Sequence, residues 1–198
     1  MKIGVLGFHG SVFEHERALK KCGAISRQIR CVEDLDQVNG LILPGGESTA
    51  LGKFLHISGL HSAIIRKVKK GFPVYGTCAG AILLAQKAYG KEPEILRVMD
   101  IEIERNAYGR QIESFITLIS APKISQKKLR AVFIRAPKIV HVGPMVEVLA
   151  KHGTDKILVR EGNLLASTFH PEMTDDTAIH RYFIQMCKKN FLHHFHTL

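Results

Sequence analysis

Two stretches carry side chains whose types and spacing can do covalent chemistry. The first is Val74-Tyr75-Gly76-Thr77-Cys78-Ala79-Gly80-Ala81-Ile82-Leu83-Leu84-Ala85, an apolar strand running into a helix predicted over 79–88, with a cysteine at the joint. Gly76-x-Cys78-x-Gly80 is the cysteine form of a nucleophile elbow. The tight strand-to-helix turn pushes the middle side chain outward, and small residues two before and two after leave room for it. The helix that follows points free N–H groups and its positive dipole end at the sulfur, which favours thiolate over thiol and can hold a developing oxyanion. Taken alone, these residues fit a buried structural cysteine equally well, since free Cys is among the most buried residue types.

The second stretch, Ser167-Thr168-Phe169-His170-Pro171-Glu172, decides between those readings. In an extended segment residues i and i+2 point the same way, so Glu172 can hold one imidazole nitrogen of His170 while the other faces Cys78. Nucleophile, base and orienting carboxylate then follow in the chain order Cys, His, Glu. A lone His170 would read as an ordinary surface or core histidine. Paired with an elbow cysteine, it reads as a base.

These groups need a scaffold, and the first half of the chain supplies its pattern. Residues 2–6 form a short continuous apolar run, as in a strand covered on both faces. Ser11 is placed to cap a helix reaching about Cys22, with Val12, Leu19 and Cys22 inward. A strand is expected around 27–32. Gly40-Leu41-Ile42-Leu43-Pro44-Gly45-Gly46-Glu47-Ser48-Thr49 reads as a buried strand ending in a glycine turn, with Ser48 or Thr49 capping the next helix. Adjacent glycines can turn backbone N–H groups toward an anion, although Gly-Gly by itself also fits an ordinary loop. Helices are predicted over 50–55 and 61–70. Strand and helix thus alternate, which argues for a parallel sheet with helices on both sides. Ligands of such sheets sit beyond the carboxyl ends of the strands, where Gly45-Gly46 and Cys78 both fall.

Beyond residue 94 the pattern changes. Residues 101–115 carry two charged arms about Asn106-Ala107-Tyr108-Gly109, a loop or hairpin able to offer Arg105 to a carboxylate, although surface charge is the default for Arg105 and Arg110. Strands are expected over 130–136, 146–150 and 157–160. Glu161-Gly162-Asn163 turns the last of these into 164–169, a hairpin ending at His170. A final helix is predicted over 175–189, with Ile179, Tyr182, Phe183 and Met186 inward. The His-rich stretch after residue 191 reads as a disordered tail.

The chain has 198 residues, 45% of them hydrophobic and 23% charged, which suits one globular domain, here residues 1–191. No apolar run approaches the ~20 residues of a membrane helix, and Met1-Lys2-Ile3-Gly4-Val5-Leu6 reads as a first strand rather than a signal peptide. The four cysteines are far apart with no CxxC pair, so neither a disulfide framework nor a zinc site is expected, and a reducing, cytoplasmic setting is. The net charge of +10 prompts a nucleic-acid check. Basic clusters occur at 66–70, 123–130 and 188–189, but aromatics do not interleave with them and no nucleic-acid motif is present. Solvated faces, or an acidic protein partner, fit better.

Gly76-Thr77-Cys78-Ala79-Gly80 with His170-Pro171-Glu172 resembles the class I, or triad, glutamine amidotransferases. Within that group, Leu43-Pro44-Gly45-Gly46-Glu47-Ser48-Thr49, Arg105-Asn106-Ala107-Tyr108-Gly109-Arg110-Gln111, Ala131-Val132-Phe133-Ile134-Arg135-Ala136-Pro137 and Phe169-His170-Pro171-Glu172 resemble the glutaminase subunit of pyridoxal 5′-phosphate synthase. The resemblance spans residues 3–191, nearly the whole chain. It implies an α/β, flavodoxin-like, three-layer fold around a mostly parallel sheet, with a small antiparallel portion in the C-terminal half. It implies hydrolysis of glutamine to glutamate and ammonia through a cysteine thioester. The ammonia would pass to a (β/α)8 synthase that builds vitamin B6, in a hetero-oligomeric complex. By the same resemblance Cys78 is the nucleophile, His170 the base and Glu172 its orienter. Gly46, Glu47, Ser48, Arg105, Ile134 and Arg135 are substrate contacts, and the backbone N–H groups of Gly46 and Ala79 hold the oxyanion. No metal or organic cofactor is implied, because sulfur and imidazole suffice.

One departure stands out. After the first strand the family usually has an aliphatic residue and then Gln-Gly-Ala, whereas this chain reads Phe8-His9-Gly10-Ser11. In the family that glutamine lies by the oxyanion site and toward the synthase, so His9 bears on activation rather than on the triad. The alternatives are a glutaminase subunit of another amidotransferase, a related cysteine hydrolase, or a scaffold that keeps the fold without catalysis. An intact Cys78, His170 and Glu172 set weighs against the last.

Overall fold

The computed structural model describes residues 1–90, 94–105 and 114–195, the last three as backbone. The elements in chain order are β1 (Lys2–Leu6), α1 (Val12–Lys21), β2 (Ile25–Ile29), α2 (Val32–Leu35), β3 (Leu41–Leu43), α3 (Ser48–Ile57), α4 (Leu60–Lys69), β4 (Val74–Thr77), α5 (Ala79–Leu84) and β5 (Ala85–Tyr89). They continue as β6 (Met99–Glu104), β7 (Phe115–Ile119), β8 (Leu129–Phe133), β9 (Lys138–Val142), β10 (Glu147–His152), β11 (Asp155–Glu161) and β12 (Leu164–Ser167), then a 3-10 turn (Pro171–Met173) and α6 (Ala178–Phe195).

The strand order of the main sheet is β2-β1-β3-β4-β12-β11-β9-β6-β5, with β10 pairing β11 from outside this path. The half from β2 to β12 is parallel throughout. From β12 onward the pairs to β11, β9 and β6 are antiparallel, and β5 returns parallel to β6. A separate antiparallel pair is made by β7 and β8. This is the expected α/β architecture, mostly parallel with an antiparallel portion in the C-terminal half. The central strands β1, β3, β4 and β12 are short and mostly apolar because both faces are covered. Along β3, Leu41 and Leu43 pack on one side with α3, α4 and α5, while Ile42 packs on the other with Leu19 of α1 and Phe183 of α6.

Four expectations need correction. The helix predicted over 79–88 stops at Leu84. Ala85 turns to extended backbone (φ −58°, ψ 148°) and begins a strand that pairs in parallel with β6. Sheet pairing there outweighs the helix propensity of Ala-Gln-Lys-Ala. The first arm of the 101–115 stretch has no edge left for a hairpin: Ile101 and Ile103 turn a buried face into the main sheet, where β6 is paired on both sides by β5 and β9, while Phe115 begins β7, which pairs with β8. The centre of that stretch, 106–113, lies outside the described residues. Strand β9 was not anticipated, and β2 begins two residues earlier than expected. Finally, α6 runs on through Phe195, past the predicted end at 189 and into the expected tail. No glycine or proline interrupts 175–195, so nothing in the backbone chemistry stops the helix there. Residues 196–198 lie outside the described set. No helix among the described residues is long and apolar enough to cross a membrane.

Candidate active site

The elbow forms where β4 meets α5. Cys78 sits at φ 49°, ψ −104°, a sparsely populated positive-φ conformation that costs about 1–3 kcal/mol in a non-glycine residue and persists only where the surroundings hold it. The surroundings are close here. A Cβ added to Gly80 would lie 1.9 Å from the Leu43 carbonyl oxygen, so α5 packs on β3 at a distance only glycine permits. The Cys78 N–H donates to the Ser167 carbonyl at 2.8 Å, which ties the end of β4 to the end of β12 and brings the two chemical stretches together. The sulfur is 3.9 Å from the Ile134 carbonyl oxygen.

After β12 the chain passes through His170 into the 3-10 turn. Nδ1 of His170 donates to Oε1 of Glu172 at 2.8 Å, with side-chain exposures of 8% and 0%. The i, i+2 pairing expected from an extended segment is made by this turn instead. The His170 ring also lies against Gly45, where a Cβ would come within 2.3 Å of Cε1. Burial disfavours the His170 cation, but the neighbouring Cys78 and Glu172 side chains favour it and outweigh burial, and its pKa is pushed up to about 10. Burial likewise opposes ionisation of Glu172, yet its pKa is lowered to about 2 by the attraction of His15 and His170 and by hydrogen bonds from His170 and Ser11. His15 is itself driven toward the neutral form by full burial and by the nearby His170. At neutral pH His15 is therefore uncharged, and His170 and Ser11 carry most of the stabilisation of the carboxylate.

Ser11 corrects the sequence reading. It occupies the N-cap position of α1, but its side chain makes no capping bond. Its hydroxyl donates instead to Oε1 of Glu172 at 2.6 Å, since a buried carboxylate is the stronger acceptor. One turn along α1, His15 was missed altogether. Its Nε2 is 3.1 Å from Thr77 Oγ1 and 3.5 Å from Glu172 Oε1, and its Nδ1 is 3.0 Å from Nε2 of His180, also fully buried. The spacing of Ser11, His15 and Leu19 places all three on the inward face of α1, and a polar pair on an otherwise apolar stripe was the available signal.

A cavity of about 650 Å³ opens over these groups. Cys78, Ala79, His170, Gly46, Glu47, Ser48, Arg105, Ile134 and Arg135 all line it, so the structure brings together every sequence-derived site residue except Glu172, which is buried behind His170. Gly10, Ser11, Glu14, Ile82, Pro137 and Met173 also line it and were not anticipated as site residues. The α3 cap is Glu47 rather than Ser48 or Thr49. Its carboxylate accepts from the N–H groups of Thr49 (3.0 Å) and Ala50 (2.7 Å), and Arg105 reaches it at 3.4 Å. His9 lies on the same rim, its ring close enough that a Cβ on Gly46 would meet it at 2.9 Å. Arg110 falls outside the described residues. Among the described residues no group of three or more His, Cys, Asp or Glu side chains is arranged to hold a metal ion.

Residues 5–189 match the SNO glutamine amidotransferase family. The chain belongs to that family. It is 52% identical over 188 residues to the pyridoxal 5′-phosphate synthase subunit PdxT of Thermotoga neapolitana, a match covering 95% of this chain and 100% of the relative. It is 50% identical over 188 residues to the subunit of the same name from Thermotoga maritima, with the same coverage. A crystal structure of a glutamine amidotransferase superposes with a TM-score of 0.90 at 42% identity, covering 94% of this chain and 98% of that one. A putative GMP synthase protein from Thermoplasma acidophilum shares the fold at a TM-score of 0.67 and 18% identity, covering 96% of this chain and 94% of that one. Family membership puts the Cys-His-Glu geometry in context: amide hydrolysis by a thiol needs an activated sulfur, a proton carrier and an oxyanion site around one cavity.

Proposed function

We propose that this chain is the glutaminase subunit of a pyridoxal 5′-phosphate synthase, with Cys78, His170 and Glu172 as its catalytic residues. The observation that carries the reading is the single cavity onto which Cys78, His170, Glu47 and Arg105 converge, with Glu172 bonded to His170 from behind. His170 takes the thiol proton, and the Cys78 thiolate attacks the side-chain amide carbon of glutamine. The N–H groups of Ala79 and Gly46 stabilise the tetrahedral oxyanion. Collapse expels ammonia with the proton held by His170. Water, deprotonated by the same imidazole, then releases glutamate from the thioester. Arg105 and Arg135 serve the charged amino-acid end of the substrate, together with Glu47, Ser48 and Ile134. The family relatives carry the name of a synthase subunit, and the ammonia made here is passed to a (β/α)8 synthase partner in a shared complex.

The test is ammonia release from glutamine, measured with and without the synthase partner. Turnover that the partner stimulates and that Cys78→Ser abolishes supports the reading. Glutamine left intact in the assembled complex would refute it.

A further inference from the structure

We infer that Ser11 is a positioning residue for His170, holding the Glu172 carboxylate from the side opposite the imidazole; this rests on the glutaminase reading above. Oε1 of Glu172 accepts both short bonds, from Ser11 Oγ at 2.6 Å and His170 Nδ1 at 2.8 Å, while Oε2 is buried with no hydrogen-bond partner among the described residues. A carboxylate held through one oxygen by a single donor can swing about its last side-chain torsion, which is broad. A second donor, from a different element, fixes its plane. Ser11 is suited to this because it is itself buried, at 6% exposure, and stands at the positive end of α1.

Ser11 also reaches the other side of His170. Its N–H donates to the Gly45 carbonyl at 3.2 Å, and Gly45 is the residue packed on the imidazole ring. One residue thus sets both the carboxylate behind the ring and the loop in front of it.

The measurement is glutamine-dependent ammonia release by the complex with the synthase partner, for wild type, Ser11→Ala, Ser11→Thr, Glu172→Gln and the Ser11→Ala/Glu172→Gln double variant. Ser11→Ala should lower kcat about tenfold, the scale of one lost bond to a charged group, with KM within about twofold of wild type. Ser11→Thr keeps the hydroxyl and should retain kcat within about threefold, which also guards against a folding defect particular to the alanine variant. In the Glu172→Gln background Ser11→Ala should cost less than about twofold more, because its partner carboxylate is gone. A kcat for Ser11→Ala within twofold of wild type would overturn the inference. So would an undiminished loss in the Glu172→Gln background, which would make Ser11 a packing residue. Failure of the wild-type complex to hydrolyse glutamine would instead strike the reading beneath it.

Discussion

At the scale of single residues, the proposed roles separate groups that react from groups that bind. Cys78→Ser replaces a thiol by a hydroxyl of far higher pKa and should lower glutaminase turnover by about three orders of magnitude or more, with an unchanged melting temperature. Residual turnover above a few per cent would move the nucleophile elsewhere. Cys22→Ser and Cys31→Ser lie outside the cavity and should leave turnover intact. Arg105 is proposed for the binding set. It sits on the cavity wall within 3.4 Å of both Glu47 and Thr49. A charge-assisted contact is worth about 1.5–3 kcal/mol, so Arg105→Ala should raise KM for glutamine at least about tenfold while kcat changes little. An unchanged KM would mean that Arg105 serves the Glu47 cap rather than the substrate.

At the scale of elements, the turns that aim these residues depend on backbone contacts that tolerate no side chain. Gly45→Ala would drive a methyl into the His170 ring, and Gly80→Ala would drive one into the Leu43 carbonyl. The outcomes should differ in kind. Gly80→Ala separates α5 from β3 and should destabilise the fold by about 2 kcal/mol or more in a urea titration. Gly45→Ala displaces an imidazole at the rim of a cavity, so it should lower turnover sharply at smaller cost in stability. Equal destabilisation by the two would show that the Gly45 loop is part of the core. Much of this was legible in the chain. Gly76-x-Cys78-x-Gly80 specified the elbow, His170-x-Glu172 the bonded imidazole–carboxylate pair, and the apolar runs of β1, β3 and β4 the parallel sheet. What was not legible depended on distant partners. Ser11 has the chemistry of a helix cap, and only the fold reveals a better acceptor in Glu172. Residues 85–89 have the propensity of a helix and become a strand because β6 lies beside them. His15 and His180 look like ordinary helix residues until α1 and α6 pack on the same face of the sheet.

At the scale of the whole molecule, those packed helices bury a chain of titratable groups beneath the site, and the stability of the protein should record it. His180 is buried by α1 and β4, with His15 and Tyr75 against it and Glu172 close by, and its pKa is lowered to about 3 from an ordinary 6.5, first by burial and then by His15. The unfolded chain therefore binds a proton between about pH 6.5 and 3 that the folded one refuses. The stability this group supplies is complete above 6.5 and is lost as pH falls through that window, at up to about 1.4 kcal/mol per pH unit. His15 is shifted in the same direction and adds to the slope. Glu172, lowered from 4.5 to about 2, adds a further loss between those values. His170 works the opposite way. With its pKa raised from 6.5 to about 10, it stabilises the fold fully below 6.5 and ceases to as pH rises toward 10. The unfolding free energy should thus peak near pH 6.5 and fall on both sides, the acid side being the steeper because several groups share it. Urea titrations at half-unit steps from pH 4.5 to 6.5 measure the slope directly. His180→Gln removes one of the protons concerned while leaving an amide to face Nδ1 of His15, so the slope should drop by up to about 1.4 kcal/mol per pH unit at the acid end of this range, whatever the variant's absolute stability. An unaltered slope would mean that His180 takes up its proton in the folded protein despite its burial.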